Sequence, residues 1–278
     1  MTIRTYIHKL VLTAASALVL ASCSSDRSAT APPPPPPSPV LLKDIVLDRL
    51  PSPYYHFDYD ANNRPSGVAF ASKLNSYDLV YDGDRLSEMR STNVFNHDRL
   101  VYVYDDAGRV VSVKYTDENG VVFTVLFFTY TGQQLTQLER DRRVTGGFII
   151  DKVMSFSYYP DGNLLELTEH RPAIDGLQPE GTTVDRFEGY DARINVDAFG
   201  LIHDDFFDHL VLLPPVQLQK GNPARVTHTG DGDNFTIDYT YTYDSRNRPL
   251  TRRGDLAFLT GPDAGQHFHL SDTFSYYN

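Results

Sequence analysis

Residues 102–110, YVYDDAGRV, predict a β-hairpin and, by their recurrence, the fold class of this chain. Aromatic residues alternate with valine in 102–104, which is the period of a strand with two different faces. Asp105 can accept a hydrogen bond from the backbone two residues further on, which opens a type I turn. Gly108 then supplies the positive φ that a bulged hairpin exit needs. The stretch therefore predicts two antiparallel strands joined by a tight turn.

The same unit recurs along the chain, which favours one continuous β domain. Further copies occupy residues 56–65, 79–86, 128–132, 157–164 and 241–250. We assign a structural role in the turns to Asp60, Asp82, Asp105, Gly108, Gly162 and Asp244. Roughly a dozen strands cannot remain flat, so we predict an all-β fold with a large, twisted or curled, mostly antiparallel sheet. The sequence leaves open whether this sheet stays open or curls into a barrel.

Three stretches depart from the hairpin pattern. Residues 45–50 and 204–213 are predicted to form short helices, because each is followed by proline, which cannot continue a helix. Residues 121–128 are apolar at both alternating sets of positions, so we predict a strand that is buried on both faces.

The N-terminal residues have the features of a bacterial export signal. Arg4 and Lys9 are basic, and residues 10–21 form an apolar run that is too short to span a bilayer. The small residues before Cys23, the single cysteine of the chain, resemble a lipoprotein lipobox. That resemblance implies cleavage before Cys23, acyl chains such as palmitate on this residue and, because Ser24 follows it, sorting to the outer membrane. The alternative is an ordinary secretory signal in which Cys23 has no role.

The sequence therefore divides into three predicted parts. Residues 1–22 are the lipoprotein signal peptide, residues 23–40 are the lipidated cysteine with a Ser/Pro-rich stalk, and residues 41–278 are a single β domain. The proline run 32–37 favours the polyproline II form, which acts as a semi-rigid spacer between membrane and domain.

Charge restricts the partners that we expect. The chain has 36 acidic and 25 basic side chains, for a formal net charge of −11. Such a chain repels phosphate backbones, so we expect no nucleic-acid partner. A single cysteine also excludes an internal disulfide bond.

The hairpin units resemble a known family. Residues 102–110 resemble the YD repeats of Rhs proteins. Most of residues 50–278 resembles a family of Gram-negative lipoproteins whose domain of unknown function is built from YD-like hairpins, and the stretches 190–195 and 220–223 fit that family as well. The resemblance implies an all-β, mostly antiparallel sheet. It implies no established enzyme activity and no catalytic residues.

One cluster of metal-ligand residue types occurs in the sequence, within residues 203–209. Its members are His203, Asp204, Asp205, Asp208 and His209. If the stretch is helical, carboxylate and imidazole groups share a face, which suits a divalent ion. The alternative is a solvated helix face that docks through its phenylalanines, and we favour this alternative. We therefore predict no cofactor and assign lipidation at Cys23 as the chemical site of the chain.

These observations favour a non-enzymatic protein. We expect an outer-membrane-anchored lipoprotein that acts as a binding or scaffold module of the cell envelope, with a glycan or an envelope protein as its partner. The rows of tyrosines can either contact such a partner or stabilise the sheet by cross-strand pairing, and we favour the second role. The alternatives are a surface polysaccharide hydrolase and a periplasmic carrier or chaperone-like assembly factor. The periplasmic or external face of the membrane is left open.

Overall fold

A computed structural model describes residues 39–95, 97–196, 202–203, 210–214 and 216–278, with the backbone alone at residues 202, 203 and 210. These residues belong to one unit, Pro39–Asn278. Cys23, the predicted signal peptide and nearly all of the stalk lie outside the described residues.

All regular structure in the described part of the chain is β-strand. The first nine strands are β1 Leu42–Leu47, β2 Tyr55–Tyr59, β3 Pro65–Phe70, β4 Asn75–Asp82, β5 Arg85–Ser91, β6 Arg99–Tyr104, β7 Val110–Thr116, β8 Val122–Thr131 and β9 Gln134–Val144. The others are β10 Gly147–Tyr158, β11 Leu164–Arg171, β12 Gly181–Glu188, β13 Ile202–His203, β14 Leu210–Val211, β15 Arg225–Gly230, β16 Phe235–Tyr243, β17 Pro249–Phe258 and β18 His267–Tyr276. Within the described ranges, no helix is long and apolar enough to cross a bilayer.

Sixteen of these strands form a closed antiparallel barrel. Each strand pairs with its neighbours in sequence, except that β12 pairs with β15 across a long insertion. The barrel closes where β18 pairs with β1, for example through Phe274 and Ile45. The strands β13 and β14 form a separate two-stranded sheet. The predicted all-β class and the mostly antiparallel hairpins are thus confirmed, and the sheet closes instead of remaining open.

The helix predicted at residues 45–50 is wrong. Residues 45–47 belong to β1, where Ile45 pairs with Tyr55 on one side and with Phe274 on the other. A bulge between Leu42 and Asp44 shifts the alternation of side chains. This shift brings Leu42 and Ile45 to the same face at a spacing of three, which imitates a helical pattern.

Two other expectations are also corrected. In the stretch 204–213, the described residues Leu210–Val211 form β14, so the predicted helix does not extend through them, and residues 204–209 lie outside the description. In the stretch 121–128, Leu126 and Phe128 are buried, but Val121 and Phe127 are more than two-fifths exposed. The prediction of burial on both faces is therefore wrong at Phe127, and the next outward residue of β8 is the exposed, polar Thr129.

Side chains that alternate inward along the strands form the core of the barrel. On β18, Asp272 and Phe274 are buried, whereas Ser271, Thr273 and Ser275 are exposed. The largest inward side chains are fully buried, including Phe57 on β2 and Tyr77 on β4. The core is thus enclosed by a single sheet that curves back on itself.

The insertion between β12 and β15, residues 189–224, enters the barrel and completes this core. Leu212 and Leu213 have no solvent exposure and pack in the same apolar cluster as the inward residues of the strands. Tyr102 on β6 donates a hydrogen bond of 2.8 Å from its hydroxyl to the carbonyl of Leu212. Because β6 lies six strands away from β12 around the barrel, the insertion crosses the interior.

The turns alternate between the two ends of the barrel. We call one end the aspartate end; it carries the turns 60–64, 83–84, 105–109, 132–133, 159–163 and 244–248. We call the other the loop end; it carries the connections 48–54, 71–74, 92–98, 117–121, 145–146, 172–180, 231–234 and 259–266. The chain enters the barrel at the aspartate end, at Leu42, and leaves it there after Tyr276.

Candidate functional site

The aspartates of the repeated turns bind their own turns. Asp105 Oδ1 accepts a hydrogen bond of 2.8 Å from the backbone N–H of Arg109, and Oδ2 accepts one of 2.8 Å from Arg109 Nε. Asp60 has the same two contacts with Arg64, at 3.0 Å and 2.8 Å. The hydrogen bond from the backbone N–H four residues on is the main reason why the pKa of Asp60 and of Asp105 lies below the usual range.

Asp244 repeats this geometry in the last turn. It accepts hydrogen bonds from the backbone N–H of Arg248 at 2.9 Å and from Arg248 Nε at 2.7 Å. Burial alone would raise the pKa of Asp244, but the hydrogen bonds have the larger combined effect, so its pKa lies below the usual value. Asp82 differs from the others because it is exposed at the end of β4, where a two-residue turn leads to Arg85.

The fourth residue of each five-residue turn at the aspartate end has positive φ. It is +79° at Gly108 and +89° at Gly162, and the same position holds Asn63 at +61° and Asn247 at +62°. The amide of Gly108 donates to the carbonyl of Asp105 at 3.0 Å, and that of Gly162 to Tyr159 at 2.9 Å. Glycine and asparagine occupy this position because they tolerate the left-handed region.

Tyrosines at or near the aspartate end of the even-numbered barrel strands bind neighbouring hairpins to one another. Tyr104 donates from its hydroxyl to the carbonyl of Leu86 at 2.7 Å, and Tyr130 donates to Val110 at 2.9 Å. Corresponding bonds run from Tyr59 to Leu42, Tyr81 to Pro65, Tyr158 to Leu135, Tyr190 to Leu164, Tyr241 to Pro223 and Tyr276 to Pro249. Eight hydroxyls thus link the hairpins around the whole aspartate end.

Arginines of the turns cover the rings of these tyrosines. The guanidinium of Arg109 lies 5.3 Å from the ring centroid of Tyr130, and that of Arg64 lies 4.4 Å from that of Tyr81. Burial, as the largest cause, raises the pKa of Tyr81 and of Tyr130 to about 12, so both keep their donor proton. The polar groups of the aspartate end are therefore engaged with one another.

The metal cluster predicted within residues 203–209 lies outside the described side chains. Of its members, His203 has a described backbone, in β13. In the described part of the chain, no group of three or more His, Cys, Asp or Glu side chains is placed to hold a metal ion.

The loop end carries an exposed apolar surface. Phe95 is 95% exposed and Val94 is 75% exposed, both in the connection between β5 and β6. Ten of the thirteen large apolar side chains that are exposed in the described residues lie in or beside the connections of this end. We call these ten the apolar rim: Leu50, Leu74, Val94, Phe95, Val121, Phe148, Ile150, Leu177, Leu259 and Phe268. The loop end therefore carries more exposed large apolar side chains than the rest of the described surface.

A buried ionic cluster lies on the inward face of β9 and β10. Arg140 donates to Asp151 through Nε at 2.8 Å and through Nη2 at 3.1 Å. Arg142 Nε lies 2.7 Å from the same carboxylate, and Lys152 Nζ lies 3.4 Å from Glu169. Lys152, Asp151 and Arg140 are all almost completely buried. Each of these three buried side chains therefore has an oppositely charged partner, as burial requires.

A second interior feature is a cavity of about 300 Å³ between the insertion and the strands β1, β2 and β16–β18. Ile45, Phe57 and Phe274 line one side, and Asn222 and Arg252 line the other. Its volume is at the lower end of the range for small-molecule sites.

Solved structures share this fold. A porin-like protein from Bacteroides uniformis superposes with a TM-score of 0.55 at 13% sequence identity, over 80% of this chain and 89% of that chain. A porin-like protein from Bacteroides vulgatus also gives a TM-score of 0.55 at 13% identity, over 85% of this chain and 99% of that chain. TcdB2-TccC3 without its hypervariable C-terminal region matches over 80% of this chain and 14% of that chain at 13% identity, with a TM-score of 0.31 that is too low to carry an argument. No family model matches the chain, and no curated protein matches it significantly. The two similar structures show the fold alone.

The strands β16 and β18 have mostly polar side chains on the outside of the barrel and mostly apolar ones on the inside. The outward positions of β16 are Thr236, Asp238, Thr240 and Thr242, and those of β18 include serine, threonine and histidine. The inward positions of both strands are mostly aromatic or aliphatic. Transmembrane barrels have the opposite arrangement, with an apolar band outside and polar residues inside.

Neither the apolar rim nor the cavity was predicted from the sequence. The sequence contained one usable signal for the cavity, because Arg252 occupies an inward position of β17 beside the tyrosine-rich strand β16. The rim had none, since its residues are scattered singly through separate turns.

Proposed function

We propose that this chain is a lipid-anchored, non-enzymatic binding module of the bacterial cell envelope. The observation that carries the proposal is the position of the apolar rim, at the end of the barrel opposite to that where the chain enters. The stalk and the acylated Cys23 predicted from the sequence would leave that end unobstructed. The polar outer wall suits a barrel that stands in water and has its core inside.

A protein is the partner that fits the rim. The connections of the loop end contain nine aspartates and glutamates but two lysines and arginines in all. Acidic loops are repelled by anionic lipid headgroups, which attract basic segments. Apolar side chains within an acidic surround are complementary to a protein surface with an apolar centre and a basic margin.

The carboxylates of the turns do not support the hydrolase alternative. Asp60, Asp105 and Asp244 each accept hydrogen bonds from the backbone and the arginine of their own turn. A catalytic pair in a glycosidase needs one carboxyl group with a raised pKa, whereas the pKa values of these three are lowered.

The anchor is tested by Cys23→Ser in the producing cell. We expect loss of labelling by an alkyne analogue of palmitate and release of the protein from the membrane fraction, with Ser24→Ala as a control that keeps both. Unchanged labelling and attachment of the Cys23→Ser variant would show that the lipobox interpretation is wrong.

The rim is tested by site-specific photo-crosslinking in intact cells. A photoreactive residue at Phe95 is compared with one at Ala107, which is also exposed but lies at the aspartate end. We expect one discrete crosslinked protein from position 95, lost when Leu74 is changed to aspartate, and none from position 107. Equal products from both positions, or from neither, would contradict a docking role for the rim.

A further inference from the structure

The cavity inside the barrel has two chemically different walls. Leu42, Ile45 and Leu47 of β1, with Phe57 and Phe274, form an apolar wall. The other wall comes from the insertion and from β16 and β17, which contribute the polar Asn195, Gln219, Asn222, Tyr241 and Arg252 together with the apolar Val196 and Pro223. The space therefore offers both apolar surface and polar groups.

The charges that border this cavity are balanced. Arg252 Nε and Nη2 both lie 2.6 Å from Asp272 Oδ2, and the guanidinium stands 5.0 Å from the ring centroid of Tyr239. The side chain of Arg252 keeps 34% of its accessible surface, whereas that of Asp272 keeps 9%. The guanidinium of Arg252 thus lines the cavity as a hydrogen-bond donor, and the carboxylate of Asp272 balances its charge.

The amide side chains of the polar wall are held in place by other bonds. Asn195 Nδ2 donates to the carbonyl of Gly221 at 2.6 Å, and Asn222 Nδ2 donates to the carbonyl of Ile194 at 3.1 Å. Tyr241 donates from its hydroxyl to the carbonyl of Pro223 at 3.0 Å. The polar wall is preorganised, which reduces the entropic cost of binding.

We propose that this cavity binds a small, uncharged amphipathic molecule. The polar end of the ligand, with hydroxyl or carbonyl oxygens, accepts hydrogen bonds from the guanidinium of Arg252. Its hydrocarbon part lies against Ile45, Phe57 and Phe274. An anionic head is disfavoured because it would approach Asp272, and a cationic head is disfavoured because it would approach Arg252.

The size and lining of the space argue against a simple packing defect. Protein interiors are close-packed, and the few large voids that persist are dry only when they are apolar. A cavity with an arginine and three amides on one side holds either water or a ligand. The apolar wall of five side chains offers water no hydrogen bonds, so a molecule with a hydrocarbon part fits both walls better.

Titration calorimetry with three probes tests the inference on the full chain carrying Cys23→Ser, purified without detergent. The probes are 1-monooctanoylglycerol, octanoate and glycerol. The first is an uncharged amphipathic molecule, the second has the same hydrocarbon chain with an anionic head, and the third is the polar head alone. We expect 1:1 binding of monooctanoylglycerol, at least tenfold weaker binding of octanoate, and no binding of glycerol. The absence of heat with all three would mean that the cavity holds water only and would overturn the proposal, as would equal binding of octanoate.

Variants distinguish the cavity from the rim. Ile45→Trp fills the cavity and is expected to weaken binding of monooctanoylglycerol at least tenfold, while Phe95→Ser on the rim leaves binding unchanged. If Ile45→Trp does not fold, Leu47→Phe is the smaller filling change, with an expected weakening of at least threefold. Binding that survives the filling variants but is lost in Phe95→Ser would contradict the cavity site. The crosslinking result at the rim is independent of either outcome.

Discussion

At the scale of the residue, Asp105 and Gly108 together define the repeated turn. The carboxylate holds the backbone N–H and the side chain of Arg109, and the glycine supplies a φ of +79° at the bulged exit. Tyr102 and Tyr104 both face inward because they alternate with Val103 along β6. The register shifts between Val103 and Tyr104, where β7 has one extra residue, Val111. The same shift occurs in other hairpins of the series, so a bulge is a regular part of the unit.

Gly108→Val tests the requirement for positive φ. We expect the variant to lose about 1 kcal/mol or more of unfolding free energy, because a β-branched residue is strongly disfavoured in the left-handed region. The control is Ala107→Val in the same exposed turn, where φ is negative, and this change is expected to cost less than about 0.5 kcal/mol. Equal urea midpoints for the two variants would contradict the assignment.

Asp105→Asn tests the electrostatic role of the turn carboxylate. A lowered pKa in the folded state means that ionised Asp105 stabilises the fold above its unfolded pKa of about 3.9, and that this contribution is lost as the pH falls through the folded value. Wild type is therefore expected to have the higher thermal midpoint at pH 7, and its advantage should shrink progressively as the pH falls below about 4. An advantage as large at pH 2.5 as at pH 7 would show that the charge has no part in it.

At the scale of the element, each strand pair is joined to the next by more than its ladder of backbone hydrogen bonds. Tyrosine hydroxyls tie successive hairpins at the aspartate end, and the insertion is bound to the inside of the wall through Tyr102. Gly221 permits a second close approach, between the end and the start of the insertion, since a Cβ there would stand 3.1 Å from the carbonyl carbon of Asp191 and closer still to its oxygen. The two ends of the insertion thus lie side by side where it leaves and rejoins the sheet.

The buried ionic cluster gives a prediction for β9 and β10. Arg140→Met leaves Asp151 with one exposed partner, and we expect a loss of about 3 kcal/mol or more, as for other broken buried pairs. Arg142→Met removes the exposed partner of the same carboxylate and is expected to cost less than about 1 kcal/mol. Chemical denaturation of both variants measures the difference. A cost for Arg142→Met that equals that for Arg140→Met would rule out burial as the reason.

At the scale of the whole molecule, closure of the barrel removes every free edge of the sheet. Ile45 on β1 is paired on both sides because β18 returns to it from the other end of the sequence. An open sheet of sixteen strands would leave two long edges that can pair with another chain. Closure also places the apolar faces of all strands around one interior, which the insertion fills.

Removal of β18 by truncation after residue 266 tests the importance of closure. The truncated chain exposes the edges of β1 and β17 together with their inward apolar residues, so we expect dimers or larger assemblies in size-exclusion chromatography with sedimentation analysis. A chain that lacks Asn278 alone is the control and is expected to elute like the wild type. A monomeric truncated chain with native circular dichroism would contradict the prediction.

Local patterns in the sequence determined the hairpins. The order Tyr–Asp–x–x–Gly acts within a few residues, through turn hydrogen bonds and the φ of Gly108, so the turns and the alternation of the strands are visible without the fold. The same local reasoning assigned a helix to residues 45–50 from the proline that follows them, whereas residues 45–47 continue β1. It also had no means to count the strands of the closed sheet.

The tertiary structure alone decided closure, the filling of the interior and both candidate sites. The pairing of β1 with β18 joins residues more than two hundred positions apart, and no local period records it. The cavity depends on how the insertion crosses the barrel, and the apolar rim exists because separate turns meet at one end. These features arise from long-range packing of surfaces, whereas the sequence by itself determined the class of strand and turn from which the barrel is built.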